Sequence, residues 1–332
     1  MKNLFIIGTP LQLINAIEAV KYFKLENNIL VLVHRSRESN KKQMQEIIDL
    51  YEWEEIIEIP YSSTSSMLKY VKLVKYLKTY VYNYIFIAKL EVIPKLVLPN
   101  VKKEKVFLLD DGTFTIAIYE KQIKNNILNK YNFKELRFLF FGLKIKIRDT
   151  INLFSYFDLE PSNGNEVIKN SLDYLRETYL QESMLKDFSK DDEVIYFLGQ
   201  PLEALIDTEL YKNSVESIIR KFNKKVIYIC HRGESKETQD ILSTIDKSSF
   251  ELLDIGMPVE LYFLYNKIYP THIISYCSTA VTTVEMLYED CKSNYIQMRV
   301  NEGNRKKYNV DHKYYYETFD KSRILTFDEL GI

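Results

Sequence analysis

Short apolar runs alternate with amphipathic segments through the first third of the chain. Residues 4–7 form an apolar run that ends at a Gly-Thr-Pro turn, and residues 11–22 repeat apolar positions at helical spacing. The same alternation predicts further strands at residues 28–34, 55–59, 84–88 and 105–109, and helices at residues 41–51 and 67–80. Strands separated by helices of this length pair in parallel, so the pattern predicts a doubly wound sheet.

A basic and apolar segment, residues 121–153, interrupts this alternation. A loop at residues 161–165 and an acidic helix at residues 171–185 lead to a second series. Its strands are predicted at residues 193–198, 225–230, 250–253 and 272–275, and its helices at residues 212–222, 236–242, 258–265 and 280–288. We therefore expect an α/β protein with two domains, residues 1–155 and 156–332, that face each other across a cleft.

Composition is that of a folded protein with a large core. The 332 residues are 46% hydrophobic and 27% charged, and the net charge of −1 excludes a globally basic nucleic-acid binder. The three cysteines, Cys230, Cys277 and Cys291, have no CxxC spacing and histidines number four, so no metal-ligand cluster is indicated. The N-terminal apolar run is too short for a signal peptide or a membrane span, and we expect a reduced, cytoplasmic protein.

Polar clusters directly follow four of the apolar runs. They occupy residues 8–12, 110–113, 231–234 and 275–279. Each cluster alone is typical of a helix cap or a turn. In open α/β sheets, however, ligands bind beyond the carboxyl ends of the strands, and two clusters in each half favour a ligand site. The sequence contains neither GxGxxG nor GxxxxGK[ST], so a dinucleotide fold or a P-loop is not indicated.

The side chains of these clusters are chemically complementary. Ser278 and Thr279 open a predicted helix, where hydroxyls, backbone N–H groups and the helix dipole suit a phosphate. His231 can donate a proton to a departing phosphate oxygen, and Arg232 adds positive charge. A carboxylate from the other domain can act as base on a hydroxyl nucleophile. The combination predicts a group-transfer reaction.

Five segments carry a family resemblance. TPLQLINAIEA, LLDDGT, LGQPLEA, CHRGE and SYCST occur in this order along the chain. The set resembles bacterial sialyltransferases, namely the lipooligosaccharide sialyltransferase family 52 and its polysialyltransferase relatives. In those families a [D/E][D/E]G motif carries the general base, an HP motif contacts the cytidine nucleotide and its phosphate, and a Ser/Thr pair binds the same phosphate. Arg232 departs from the pattern, because proline is expected after the histidine.

The resemblance implies the GT-B fold, two facing Rossmann-like domains with parallel sheets. It implies an N-terminal acceptor-side domain and a C-terminal CMP-sugar-binding domain. The expected reaction is an inverting, metal-independent transfer of a nonulosonic acid, such as sialic acid, from its CMP donor to a hydroxyl of a capsule or lipooligosaccharide glycan. The CMP-sugar is a co-substrate, no other cofactor or metal is expected, and the acceptor is a glycan or glycolipid.

The resemblance also implies roles for residues. The implied catalytic residues are Asp111, Asp110 and His231; the donor-binding residues are Gly199, Gln200, Pro201, His231, Arg232, Glu260, Ser275, Ser278 and Thr279; the acceptor-binding residues are Thr9, Pro10, Gln12, Gly112 and Thr113. Asp111 is preferred over Asp110 as the base, because the adjacent glycine leaves room for the acceptor. CMP-pseudaminic acid or CMP-Kdo as donor stays open because of Arg232. A non-catalytic binding protein of capsule assembly is the alternative of another class.

The segment from residue 121 to 148 combines cations with apolar side chains. A solvated helix face is the default interpretation, and a peripheral contact with the inner face of the cytoplasmic membrane or a homodimer contact is the alternative. The cations are Lys121, Lys124, Lys130, Lys134, Arg137, Lys144, Lys146 and Arg148, and the apolar residues are Phe138, Leu139, Phe140, Phe141 and Leu143.

Overall fold

A computed structural model of the chain describes residues 1–34, 38–61, 66–129, 131, 133–203, 205–298, 316 and 320–332, without the side chains of residues 38–40, 133, 134, 182 and 183. It divides into unit 1, Met1–Tyr174, and unit 2, Leu175–Ile332. Each unit has its own sheet of parallel strands with helices between them, which confirms the α/β class. None of the described helices has the length and apolar character needed to cross a bilayer.

Unit 1 is built on a sheet with the strand order β3-β2-β1-β4-β5-β6-β7. Its strands are β1 Lys2–Ile7, β2 Asn28–His34, β3 Glu55–Pro60, β4 Val81–Ile87, β5 Lys102–Leu109, β6 Ile151–Ser155 and β7 Val167–Lys169. Its helices are α1 Pro10–Tyr22, α2 Glu38–Ile48, α3 Met67–Leu77, α4 Val92–Val97, α5 Phe114–Ile118 and α6 Phe133–Leu136, and α7 Asp173–Tyr179 leads into unit 2. The strand order reverses between β1 and β4, so this point is the expected ligand crevice of the sheet.

Unit 2 repeats this design with the strand order β11-β10-β9-β13-β14-β15. The strands are β9 Val194–Leu198, β10 Lys225–Ile229, β11 Phe250–Leu253, β13 His272–Ser275, β14 Lys292–Ile296 and β15 Ile324–Leu325, while β8 Ser189–Lys190 pairs with β12 Ile268–Tyr269. The helices are α8 Glu182–Leu185, α9 Thr208–Phe222, α10 Lys236–Leu242, α11 Val259–Tyr265, α12 Thr279–Leu287 and α13 Phe327–Leu330. Here the order reverses between β9 and β13.

The division between the units lies at Tyr174, later than the predicted boundary at residue 155. The reason is pairing: β7 continues the first sheet beside β6, beyond the predicted boundary. Side chains then tie the following residues to α1, because Asn170 Nδ2 donates to Asn15 Oδ1 at 3.0 Å and the Tyr174 amide donates to Glu18 Oε2 at 3.0 Å. The first domain therefore includes the segment that the sequence assigned to the second.

Several element bounds also differ from the predicted ones. The acidic helix predicted at residues 171–185 is two helices, α7 and α8, and α9 begins at Thr208 because Asp207 caps it through the amides of Glu209 and Leu210. The sequence pattern did not predict the strands β6, β7, β8, β12, β14 and β15 or the helices α4, α5, α6 and α13. Lys130, one of the cations of the basic segment, lies outside the described residues.

Candidate active site

Asp111 lies at the crevice of unit 1, directly after β5. Its side chain is 12% exposed, and three groups contact its carboxylate. Gln12 Nε2 donates to Oδ1 at 2.5 Å, Thr9 Oγ1 donates to the same oxygen at 3.3 Å, and Lys89 Nζ lies 2.6 Å from Oδ2. The predicted acceptor-side residues and the preferred base therefore lie together.

The start of α1 positions these contacts. Thr9 is the N-cap of α1 and Pro10 occupies its first turn, so the helix begins where β1 ends. Pro10 is buried and its side chain offers no polar group. Gln12 is 3% exposed, and its Oε1 accepts the Gly8 amide at 2.7 Å, which fixes the side chain with Nε2 toward Asp111.

Lys89 is a site residue that the sequence did not predict. It follows β4 by two residues, and β4 lies between β1 and β5 in the sheet, so its ammonium reaches the Asp111 carboxylate. The same Nζ lies 5.3 Å from the ring centroid of Phe114, which is 48% exposed. Its position after an apolar run was the available signal. A pocket beside the ion pair is lined by Ile6, Ile7, Gly8, Thr9, Gln12, Val33, Tyr61, Lys89, Glu91, Ile93 and Pro94.

Gly112 makes the turn that follows Asp111. Its φ of +66° lies in the left-handed region, which favours glycine because other residues meet a Cβ penalty there. The Asp111 amide donates to Thr115 Oγ1 at 2.8 Å, and the Gly112 carbonyl accepts the Thr115 amide at 3.0 Å. Thr113, at the N-cap of α5, is partly exposed beside this turn.

Asp110 is separated from the pocket. It has no exposed surface, Ser155 Oγ donates to its Oδ1 at 2.8 Å, and the Tyr156 amide donates to its Oδ2 at 2.8 Å. The carboxyl thus joins the end of β5 to the end of β6. Burial raises its pKa from 3.8 to about 7, against the lowering effect of the Tyr156 and Ser155 hydrogen bonds. Both predicted catalytic aspartates are present, but only Asp111 faces the crevice.

In unit 2, Ser278 is the N-cap of α12 and its Oγ accepts the Ala280 amide at 3.3 Å. The neighbouring Thr279 is the first residue of the nine-residue helix and is 7% exposed. The hydroxyl and the first turn of the helix therefore stand at the carboxyl end of β13, as predicted for a phosphate site.

Gln200 and Ser275 join the two strands of the unit 2 crevice. Gln200 Oε1 accepts the Cys277 amide at 2.8 Å, and Ser275 Oγ donates to the Leu198 carbonyl at 2.7 Å. Ser275 has no exposed surface and its hydroxyl fastens β13 to β9, so its contact with the donor stays a prediction. Gln200 is partly exposed, while its side-chain oxygen holds the loop before α12.

His231 is partly exposed after β10, within a turn that orients its ring. The Gly233 amide donates to Nδ1 at 3.0 Å. Because Nδ1 accepts this bond, the proton of the neutral imidazole is on Nε2, and the ring presents Nε2–H as its donor. Arg232, beside it, is exposed.

Glu234 is the second carboxyl of this turn. Its Oε2 accepts the His231 amide at 2.8 Å, and its Oε1 accepts the Tyr228 hydroxyl. Burial raises the pKa of Glu234 to about 7, against the lowering effect of these bonds. A Cβ on Gly199 would lie 2.5 Å from the Tyr228 hydroxyl and 2.7 Å from Glu234 Oε1, so glycine at 199 is required by this close approach.

Glu260 and Pro201 are the remaining predicted donor-side residues. Glu260, in the first turn of α11, is 4% exposed and accepts the Thr283 hydroxyl of α12 at 2.5 Å. Burial raises its pKa. The structure thus places Glu260 between two helices rather than on an open surface, whereas Pro201 is exposed after β9.

The two crevices offer different chemistry. Unit 1 presents one partly exposed carboxylate held by an amide, a hydroxyl and an ammonium group. Unit 2 presents a helix N-terminus and an oriented imidazole. A carboxylate can accept the proton of a hydroxyl nucleophile, and the groups of unit 2 can bind a phosphate. No cluster of three or more His, Cys, Asp or Glu able to hold a metal occurs in the described part of the chain, and metal independence stays a prediction.

Comparisons with known proteins identify related folds and one family. The model of the alpha-2,8-polysialyltransferase (POLYST) family matches residues 3–296. The UDP-GlcNAc 2-epimerase from Neisseria meningitidis bound to UDP-GlcNAc is 13% identical, with 92% of this chain and 85% of that chain covered and a TM-score of 0.53. The S. aureus MnaA-UDP structure is 14% identical, with 96% and 91% covered and a TM-score of 0.50. A search of curated proteins finds no match. At such identities the structural likeness shows the fold alone, and it confirms the predicted GT-B class.

Proposed function

The chain belongs to the alpha-2,8-polysialyltransferase family, which makes it a glycosyltransferase, and from that premise we propose that it transfers a nonulosonic acid, such as sialic acid, from a CMP donor to a glycan hydroxyl. The polysialyltransferase part of the sequence resemblance is thereby confirmed, whereas family 52 stays a prediction. The observation that carries the proposal is the Asp111 carboxylate, partly exposed and held by Gln12, Thr9 and Lys89 at the unit 1 crevice.

In the proposed reaction Asp111 accepts the proton of the acceptor hydroxyl. The hydroxyl oxygen forms a bond to C2 of the donor sugar while the bond from C2 to the phosphate oxygen breaks, and that electron pair leaves with CMP. The sugar passes through an oxocarbenium-like state, and attack from the face opposite to CMP inverts the anomeric configuration. His231 Nε2–H and the first turn of α12 stabilise the charge on the departing phosphate.

The acceptor side of this proposal consists of the crevice residues of unit 1. Thr9 and Gln12 hold Asp111 by direct hydrogen bonds and line the adjacent pocket with Lys89 and Tyr61. Gly112 follows Asp111 in the turn, and the exposed ring of Phe114 lies 5.3 Å from Lys89 Nζ. A hydroxyl bound in this pocket is adjacent to the proposed base.

A binding experiment tests the donor half of the proposal. We expect His231→Ala to weaken CMP affinity by about 10-fold or more, because a hydrogen bond to a charged phosphate contributes about 1.5–3 kcal/mol. Turnover should fall with it. His34→Ala is the matched control, since His34 ends β2 in unit 1 and contacts Glu58. Calorimetric titration with CMP measures the effect.

Chelation tests the phosphate-binding mechanism separately. We expect EDTA to change neither CMP affinity nor turnover, since the proposed phosphate contacts are His231 and α12. Activity that collapses on chelation and returns with Mg²⁺ or Mn²⁺ would contradict this part of the proposal.

A lipid-linked acceptor would bring the protein to a membrane. The surface of unit 1 supports such a contact, although fewer apolar residues are exposed there than the sequence suggested. Phe138 and Leu143 are buried, whereas Phe140 is 91% and Leu139 50% exposed. Lys144, Lys146 and Arg148 are exposed and alternate with residues that pack in the core. We propose that these five exposed residues form a membrane-contact patch.

We expect the protein to cosediment with anionic vesicles at low salt, because cations near such a surface contribute about 1 kcal/mol each and Phe140 adds apolar burial. Replacing Lys144, Lys146 and Arg148 with glutamate should abolish cosedimentation while turnover of a small soluble acceptor persists. The control carries the same charge change on exposed lysines of unit 2, Lys221, Lys236 and Lys247. Wild-type protein that stays in the supernatant at low salt would rule out the patch.

A further inference from the structure

Two hydrogen bonds close the turn at residues 231–234, one through the backbone amide of Glu234 and one through its side-chain carboxylate. The Glu234 amide donates to the His231 carbonyl at 2.9 Å, and the His231 amide donates to Glu234 Oε2 at 2.8 Å. Between them the Gly233 amide fixes the imidazole through Nδ1 at 3.0 Å. Glu234 therefore holds both backbone polar groups of His231, and the ring is oriented within the turn so formed.

The other carboxyl oxygen of Glu234 begins a buried chain of hydroxyls. It accepts the Tyr228 hydroxyl, which lies 3.0 Å from the Tyr211 hydroxyl, and that oxygen accepts the Gln200 amide at 3.3 Å. Tyr228 has no exposed surface and Tyr211 is 3% exposed. Hydrogen bonds in such a water-poor interior are strong, and breaking one leaves buried polar groups unpaired at a cost in free energy.

The chain extends to the proposed phosphate-binding helix. The backbone amide of Gln200 donates to Tyr211, and its side-chain Oε1 accepts the Cys277 amide at 2.8 Å. Cys277 directly precedes Ser278. Continuous hydrogen bonds thus connect the strand-end loops at residues 199–201, 231–234 and 276–278. Displacing the Glu234 end of this chain would release the His231 turn.

We propose that Glu234 is a positioning residue that holds His231 with Nε2–H as its donor. The inference rests on the proposed function, in which His231 binds the donor phosphate, and Glu234 itself does not touch the donor. It also accounts for Arg232 at the place where the resemblance expects proline. The closed turn restricts the backbone at His231, as a proline ring would at the next residue.

Two substitutions separate hydrogen bonding from other effects. Glu234→Ala removes both acceptors and should weaken CMP affinity about 10-fold, approaching the effect of His231→Ala. Glu234→Gln keeps one acceptor for the His231 amide and an amide group that can donate to the Tyr228 hydroxyl, and it should restore affinity to within about threefold of wild type. Glu285→Gln is the control, a partly buried carboxyl that accepts Ser293 Oγ elsewhere in unit 2.

A double-mutant cycle shows whether Glu234 acts through His231. In the His231→Ala background, Glu234→Ala should change CMP affinity by less than about twofold, because the group that it positions is already gone. A full and additive loss in that background would overturn the proposal, as would wild-type affinity in Glu234→Ala. A general loss of folding would lower CMP affinity equally in both backgrounds.

Histidine NMR decides the positioning role without any donor. In wild-type protein labelled with ¹⁵N-histidine we expect the His231 ring, assigned by its absence in His231→Ala, to be a single Nε2–H tautomer. Glu234→Ala should give a mixture of tautomers, while Glu285→Gln should not. A single tautomer in Glu234→Ala would overturn the inference. If wild-type protein failed to bind CMP, the proposed function would fall, and the spectra would still decide whether Glu234 orients the ring.

Discussion

Replacing Asp111 with asparagine should lower kcat by about 10²–10⁴-fold, in the range for loss of a general base, while CMP affinity stays near the wild-type value. The amide cannot accept the acceptor proton, although its oxygen can still accept the hydrogen bond from Gln12 Nε2. The proposed CMP contacts lie in unit 2, so donor binding should not depend on this change. Initial rates at saturating donor and acceptor measure the effect.

Asp110→Asn is the matched control for that experiment. The two aspartates are adjacent, but the Asp110 carboxyl is buried between Ser155 and Tyr156 and does not reach the crevice. We expect this variant to keep most of its activity. Full activity in Asp111→Asn, or an equal loss in Asp110→Asn, would remove the assignment of Asp111 as the base.

Asp110→Ala should destabilise unit 1 by about 2–6 kcal/mol. The substitution leaves the Tyr156 amide and the Ser155 hydroxyl without their acceptor, and each unsatisfied buried group costs about 1–3 kcal/mol. The single tryptophan, Trp53, is 8% exposed in unit 1, so its fluorescence during urea unfolding reports on this unit. An asparagine at position 110 can accept the hydrogen bond of the Tyr156 amide and donate one to the Ser155 hydroxyl. Asp110→Asn should therefore lose much less stability than Asp110→Ala. Equal stability of the Ala variant and wild type would contradict this role.

The pH dependence of stability follows from the same carboxyl. Because burial raises the folded-state pKa of Asp110 from 3.8 to about 7, the folded chain holds the proton more tightly than the unfolded chain. The contribution of protonated Asp110 to the stability of the folded chain is therefore fully present below about pH 4 and is lost as pH rises through about 7. Wild-type unit 1 should lose stability across this window, and Asp110→Asn, which cannot ionise, should show a shallower loss.

Buried parallel strands were predictable because they appear as continuous apolar runs. The strand β2 and the strands β11 and β13 agree with their predicted bounds. The strand β14 was not predictable in this way, because Lys292, Ser293 and Asn294 make it polar, and its place beside β13 gives it its structure. The strand β6 was not predicted because its first residues fell within the basic and apolar segment, residues 121–153. The strand β7 was not predicted because it has only three residues.

The site was predictable as far as the strand-end rule applies. That rule located Thr9, Gln12 and Asp111, whose contacts depend on β1 and β5 lying on either side of β4. Lys89 was missed because the residues after β4 carry no turn or cap signature, and its role emerges only from the strand order. The sequence likewise could not show that Asp110 is buried while Asp111 faces the crevice.

The roles of Ser275 and Glu234 depend on contacts between elements far apart in the sequence. Ser275 bonds to the Leu198 carbonyl, and Glu234 bonds to a tyrosine whose neighbour is on α9. A Ser or Glu after a strand is equally compatible with ligand binding and with such internal bonds. Sequence pattern alone therefore identified the loops correctly as polar strand ends without separating the groups that face a ligand from those that hold the loops.

The most direct test of the proposed transfer is a product assay with CMP-sialic acid and a glycan acceptor, read by mass spectrometry and by CMP release. We expect the acceptor to gain the mass of one or more sialic acid residues, one CMP to be released per residue added, and Asp111→Asn to form almost no product. Exchange of CMP-sialic acid for CMP-pseudaminic acid or CMP-Kdo identifies the preferred sugar within this donor class. Product formed from a UDP-sugar but from none of these CMP-sugars, or no acceptor gain with any of them, would contradict the proposed function.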